Sequence, residues 1–226
     1  MSEIKAGDYQ CLTFDCYGTL IDWETGLLNF IQPILLDRDV HVIDEFALEL
    51  FSELEPKAQT EGGSYRGVLR KVLEGFGTRL GFVPHEDELS GISDSIKDWP
   101  AFPDTVEALK QLKQNFKLVP LSNIDDELFH LSEEVLGITF DDVITAEQVG
   151  VYKPNIKMFE TALQRVEGPL LHVAQSRFHD IVPATAQGIQ TVWINRPSKG
   201  AAKPVDASPT WTFTSLQEFA DAVSVR

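Results

Sequence analysis

Tyr9 to Phe14 is a short, mostly apolar run bounded by polar residues, the pattern of a buried strand. After Leu20 the period changes. Apolar residues recur every three or four positions over Trp23 to Leu36, Val42 to Leu54 and Ser64 to Leu80, the spacing of one helix face. Glu53 to Gly63, with Pro56 and the Gly62–Gly63 pair, interrupts this rhythm and is expected to be a connector or a frayed helix end. Pro84 to Ile96 suggests one more short helix, and no β-rich run occurs in this stretch.

From Trp99-Pro100 onward, strand and helix patterns alternate. Strands are expected at Phe116 to Leu121, Asp142 to Thr145, Leu170 to Ala174, Gln190 to Ile194 and Trp211 to Phe213. Helices are expected at Thr105 to Gln114, Asp125 to Leu136, Asn155 to Val166, Ile181 to Gln187 and Leu216 to Ala222. Pro197 to Pro209 reads as a surface loop, and there is no internal repeat. Such alternation belongs to the α/β class: a Rossmann-like, largely parallel sheet with helices on both faces. The first strand joins this later half. Residues 1–21 and 98–226 then form the core, and residues 22–97 are an all-helical insertion after the first strand.

Composition narrows the partners. The formal charge of −16 over 226 residues argues against a nucleic-acid backbone or an acidic membrane surface as the main partner. A small anionic molecule is not excluded, because it feels the local pocket more than the whole chain. Two cysteines, Cys11 and Cys16, imply neither a disulfide scaffold nor a zinc cluster and suit a reducing compartment. The N-terminus lacks an apolar signal core and no run approaches 18 apolar residues, so a cytoplasmic location is expected. A homodimer is left open.

In an open α/β sheet, ligands bind beyond the carboxyl ends of the strands. Four expected strand ends or the loops after them carry chemistry: Asp15, the pair Ser122-Asn123, Lys153 and Asp180. Each has a simpler account alone. Asp15 suits a turn, Ser122 or Asn123 a helix cap, Lys153 a solvated surface, and Asp180 a helix N-terminus. Together, a nucleophile, a hydroxyl and amide, an ammonium and a second carboxylate form a catalytic ring.

These motifs, Phe14-Asp15-Cys16-Tyr17-Gly18-Thr19-Leu20, Ser122-Asn123, Tyr152-Lys153-Pro154 and Ala174-Gln175-Ser176-Arg177-Phe178-His179-Asp180, resemble the haloacid dehalogenase-like hydrolase superfamily across essentially the whole core. The resemblance implies that Asp15 is a covalent nucleophile, that Ser122 binds substrate oxygens and that Lys153 balances charge. It also implies that the insertion is a mobile cap.

Two departures separate the chain from the phosphatases of that superfamily. Tyr17 stands where they carry a second aspartate as general acid, and Gln175 stands where they carry a magnesium-ligating aspartate. A neutral amide is a poor partner for that ion, and a phenol is a poor acid at neutral pH. The L-2-haloacid dehalogenase branch is the nearer resemblance. It implies attack of Asp15 on a halogen-bearing carbon, then hydrolysis of the aspartyl ester, with no metal or other cofactor. Asp180 would orient Lys153, while Tyr17, Gly18, Ser122, Asn123, Gln175 and Arg177 would surround the substrate. The branch also supplies a cap arginine about 30 residues after the nucleophile, where this chain has Phe46; Arg38, Arg66 and Arg70 are the candidate replacements. Hydrolysis of a small phosphate ester, or a binding protein that keeps the fold without catalysis, are the alternatives.

Overall fold

The computed structural model describes residues 4–198 and 205–223. Cys11–Phe14 (β1) is buried at every position and pairs in parallel with Lys117–Ser122 (β2) on one side and Leu170–Ala174 (β4) on the other. A strand covered on both faces has no solvent side for alternating polar residues, so it reads as a nearly unbroken apolar run. Ile144–Thr145 (β3) extends the sheet beyond β2. Gln190–Ile194 (β5) and Trp211–Phe213 (β6) extend it beyond β4, and every pairing is parallel in the order β3-β2-β1-β4-β5-β6. The connections reverse direction between β1 and β4, and a crevice opens past the carboxyl ends of those two strands.

The expected class, a parallel Rossmann-like sheet with an all-helical insertion after the first strand, is the one observed. The insertion consists of Trp23–Leu36 (α1), Asp44–Thr60 (α2), Tyr65–Leu80 (α3) and Glu86–Asp94 (α4), followed by a 3₁₀ turn at Ser95–Asp98. Thr105–Leu112 (α5), Asp126–Leu136 (α6), Ala146–Val149 (α7), Ile156–Arg165 (α8), Val182–Ala186 (α9) and Leu216–Val223 (α10) accompany the sheet. None of the described helices is long and apolar enough to cross a membrane.

Three features tie the insertion to the sheet. Its two ends run side by side: Asp22 N donates to Pro100 O at 2.8 Å and Phe102 N to Leu20 O at 3.1 Å. Asp22 also caps α1 by accepting from Thr25 N at 3.1 Å. The carboxylate of Asp125, just before α6, accepts from Tyr65 N at 2.7 Å and Arg66 N at 2.9 Å, placing a negative charge at the positive end of α3. Finally, buried Trp99 fills the space where the chain returns and meets the Tyr17 ring edge-on, with centroids 5.7 Å apart.

Some element boundaries differ from expectation. The first strand starts at Cys11, not Tyr9. The connector expected over Glu53 to Gly63 is helical as far as Thr60, because α2 runs straight through Pro56. Proline removes one helical donor. Here Lys57–Glu53 and Gln59–Glu55 pairs one turn apart, with Ala58 buried, hold the next turn in place. Strand β3 is two residues long and leads directly into α7, a turn too short to show periodicity. The helix expected from Ile181 is preceded by a wide π turn, Arg177–Ile181. Part of the loop expected over Pro197 to Pro209 lies outside the described residues.

Gly26 shows how tightly the return is packed: a Cβ there would lie 2.3 Å from Trp99 Cγ and 2.4 Å from Cδ1. Gly26→Ala is therefore expected to destabilise the protein by about 1–3 kcal/mol through overpacking, measured as a lower denaturant midpoint with an unchanged slope. An unchanged midpoint would mean that Trp99 moves freely.

Candidate active site

The site grows from the loop after β1. Asp15 continues that strand, its backbone N–H donating to Val173 O of β4 at 3.1 Å, so the nucleophile candidate is still held by the sheet. The chain then turns through Gly18, whose φ of +97° only glycine adopts without strain. This turn brings Thr19 back, and its hydroxyl donates to Asp15 Oδ2 at 2.7 Å while accepting from Gln175 N at 2.8 Å. The loops after β1 and β4 are thereby locked together at the carboxylate.

Lys153 Nζ lies 2.8 Å from Asp15 Oδ1 and 2.7 Å from Asp180 Oδ1, in a setting where Lys153 is 1 % exposed and Asp180 fully buried. Asn123 fixes the lysine backbone: its amide accepts from Lys153 N at 2.6 Å and donates to Lys153 O at 3.0 Å. His172, in the middle of β4, sits with Nε2 3.1 Å from Asp180 Oδ1 and Nδ1 2.9 Å from Thr13 Oγ1. An ionised Asp180 can only accept, so Nε2 carries the hydrogen in that bond.

Burial raises the Asp15 carboxyl above its ordinary value, and the Asp180 charge adds to this against Lys153 and Thr19. Asp180 moves the other way. Burial opposes its ionisation, but Lys153 and His172 hold it below the ordinary range. Burial also works against the Lys153 charge, yet the two carboxylates keep its ammonium more basic than a free lysine. The cluster thus keeps a lasting charge on Asp180 and Lys153 and leaves Asp15, at the cavity floor, as the carboxylate easiest to protonate.

A cavity of about 500 Å³ opens over Asp15. Of the residues singled out in the sequence, Asp15, Tyr17, Gly18, Asn123, Lys153, Gln175, Arg177 and Asp180 line it. Their polar groups are not all turned to it. The Tyr17 hydroxyl bonds Ser132 Oγ at 2.7 Å, and burial pushes this phenol well above its ordinary value, which removes it as an acid. Gly18 N donates to Ile21 O at 2.8 Å, and both ends of the Asn123 amide hold Lys153. Ser122 is fully buried and absent from the lining, with its hydroxyl unpartnered among the described residues.

The cap-arginine candidates are all engaged elsewhere. Arg38 pairs with Glu88 at 2.7 Å, Arg66 with Asp94 at 2.6 Å and Arg70 with Glu86 at 2.5 Å; neither they nor Phe46 line the cavity. Arg196 does line it but is bound to Asp104 at 2.9 Å. Arg177 differs. Its guanidinium lies 4.8 Å from the Trp193 ring centroid, and no carboxylate among the described residues pairs with it. Trp193 is held in turn by its Nε1–H bond to Gln175 O at 2.8 Å.

The donor set fits a magnesium ion poorly. Gln175 supplies an amide where a carboxylate would be needed, Asp180 commits Oδ1 to Lys153 and His172 and has only the buried, unpartnered Oδ2 to offer, and no group of three or more His, Cys, Asp or Glu among the described residues is placed to hold a metal. Sequence reasoning left Thr19, His172, Trp23 and Trp193 without roles. For His172 a signal existed, since it is the one ionisable residue in the apolar run Leu170–Ala174.

Known proteins similar to this chain include both phosphatases and dehalogenases. A family model described as haloacid dehalogenase-like hydrolase matches residues 9–174. The chain is 35% identical over 230 residues to a glyceraldehyde 3-phosphate phosphatase of Methanocaldococcus jannaschii, covering 91% of this chain and 96% of that protein. It is 28% identical over 200 residues to (S)-2-haloacid dehalogenase 1 of Pseudomonas sp. strain CBS-3, covering 82% and 84%. The crystal structure of the defluorinating L-2-haloacid dehalogenase Rha0230 superposes with a TM-score of 0.84 at 20% identity, covering 99% of this chain and 100% of that one, a likeness of fold.

The charge arrangement fixes the sign of two pH effects. Lys153→Met removes the cation that favours ionised Asp15, so the acidic limb of the kcat/KM profile is expected to move to higher pH. Asp180→Asn removes a like charge and should move that limb lower. Limbs that stay in place in both variants would show that Asp15 is not the titrating group.

Proposed function

The chain belongs to the haloacid dehalogenase-like hydrolase family, and from that membership we propose that it hydrolyses a small 2-haloacid through a covalent ester on Asp15. One observation carries this reading: Asp15 is braced by an ammonium, Lys153, while the position that would complete a magnesium site is the amide of Gln175. A halide leaves with its own electron pair and needs neither an acid nor a metal. A phosphoryl group brings concentrated negative charge and gains greatly from a divalent cation. Five carboxylates (Asp15, Asp22, Glu24, Glu55 and Asp180) line the cavity against three cations (Lys153, Arg177 and Arg196), which favours a monoanion over a phosphate dianion.

In the first step an Asp15 oxygen bonds to the carbon bearing the halogen as the carbon–halogen bond breaks and halide departs. In the second, water adds to the Asp15 carboxyl carbon. The bond between that carbon and the ester oxygen, which came from Asp15, then breaks, giving a 2-hydroxy acid that keeps this oxygen and an Asp15 carboxylate that carries the water oxygen. One water proton goes to the departing alkoxide and the other leaves with solvent. In this reading Lys153 stabilises the ionised nucleophile and the oxyanion of the second step. Asp180 and Asn123 hold Lys153 in place. Arg177, stacked on Trp193, takes the substrate carboxylate in place of a cap arginine.

Purified protein is expected to release halide from L-2-chloropropionate in the presence of chelator, and Asp15→Asn to lower turnover at least about 10³-fold. After a single turnover in ¹⁸O-water, mass spectrometry should find the label on the Asp15 peptide rather than in the product. No halide release, with magnesium-dependent hydrolysis of a phosphate ester such as glyceraldehyde 3-phosphate, would overturn the reading. Arg177→Met should raise KM about 10–100-fold with a smaller effect on kcat, the loss of one charge-assisted contact. An unchanged KM would assign Arg177 to the surface.

A further inference from the structure

Resting on the 2-haloacid reading, we propose that the preferred substrate carries an aromatic or similarly bulky apolar group, and that two- and three-carbon acids are turned over less well. The first ground is size. A void of about 150 Å³ accommodates benzene, a molecule of six heavy atoms, and 2-chloropropionate also has six. The cavity over Asp15 is about 500 Å³, within the range of roughly 300–1,000 Å³ that suits larger ligands. A three-carbon acid would leave most of it to water.

The second ground is the chemistry of the insertion-side wall. Trp23, in the first turn of α1, reaches down to the nucleophile loop: its Nε1 lies 3.4 Å from where a Cβ on Gly18 would stand. Its ring packs against Phe51 of α2 with centroids 5.1 Å apart and planes inclined by 37°. Pro56 of α2 and Tyr65 at the start of α3 continue the same wall, which the carboxylates of Glu24 and Glu55 share. From the core side come Arg177 and Trp193. An anionic end held by Arg177 and a reacting carbon over Asp15 leave the rest of the molecule to meet Trp23 and Phe51, whose rings suit an aryl group by offset or edge-on contact.

The test compares 2-chloropropionate with 2-chloro-3-phenylpropionate by initial rates of halide release from the full chain. The phenyl acid is expected to give a kcat/KM at least about tenfold higher. Phe51→Leu and Trp23→Leu should each shrink that ratio several-fold. Calorimetric binding of the halogen-free acids propionate and 3-phenylpropionate reads the cavity without the chemistry, with 3-phenylpropionate expected to bind at least about tenfold more tightly. Halide release that favours the three-carbon acid, or equal affinity for the two halogen-free acids, would overturn the proposal and leave the hydrolytic reading standing. No halide from either chloroacid, together with tight binding of 3-phenylpropionate, would instead overturn the dehalogenation reading.

Discussion

One buried ammonium shared by two carboxylates governs this molecule. Taking a charge out of water costs several kcal/mol per ion, and mutual attraction recovers that only when every member is well placed. The surrounding residues do this placing. Thr19 and Lys153 hold Asp15, Lys153 and His172 hold Asp180, and the Asn123 amide holds the lysine backbone. Deleting a single partner from such a cluster strands a charge, at a cost of about 3–5 kcal/mol. The same bonds join the ends of β1, β2 and β4 and the loop before α8, so the charge cluster is also a junction of the fold.

Reactivity follows from how unevenly the cluster treats its two acids. Asp180 is sealed in, bonded by two donors and held ionised; Asp15 opens onto the cavity and is the more easily protonated. The role proposed for Asp15 needs that asymmetry. Both Asp15 oxygens accept bonds, from Lys153 and Thr19, but this is the carboxylate open to a ligand, while Asp180 keeps the lysine charged and holds its own Oδ2 buried and unpartnered among the described residues. Arg177 stands at the rim, where its guanidinium rests on an indole face and no carboxylate among the described residues pairs with it.

Much of this was legible in the sequence. The Asp15 motif, the changes at Tyr17 and Gln175 and the alternation after Trp99 pointed to the fold and to the carboxyl ends of the strands. Spacing alone did not show where side chains turn. Tyr17 aims its hydroxyl at Ser132, Asn123 turns back to Lys153, and Ser122 is sealed off, because each finds a partner or a packed position that lies far away in sequence. The helix through Pro56 was hidden for a related reason. Local propensity marks a break there, while pairs one turn apart and a buried Ala58 keep the helix going. Thr19 was present in the motif, but its bridging bond to Gln175 exists only once β1 and β4 are neighbours.

The side-by-side passage of Leu20 to Asp22 and Pro100 to Phe102 has a consequence for how such a protein can change. Because the insertion starts and finishes at one spot, the sheet sees it as a closed detour. Its length and contents can vary without shifting the register of β1 against β2. The cavity walls from the insertion and the floor that carries the charges are therefore nearly separable inheritances. A lineage can exchange the four-helix detour for another and retain the buried ammonium beneath it.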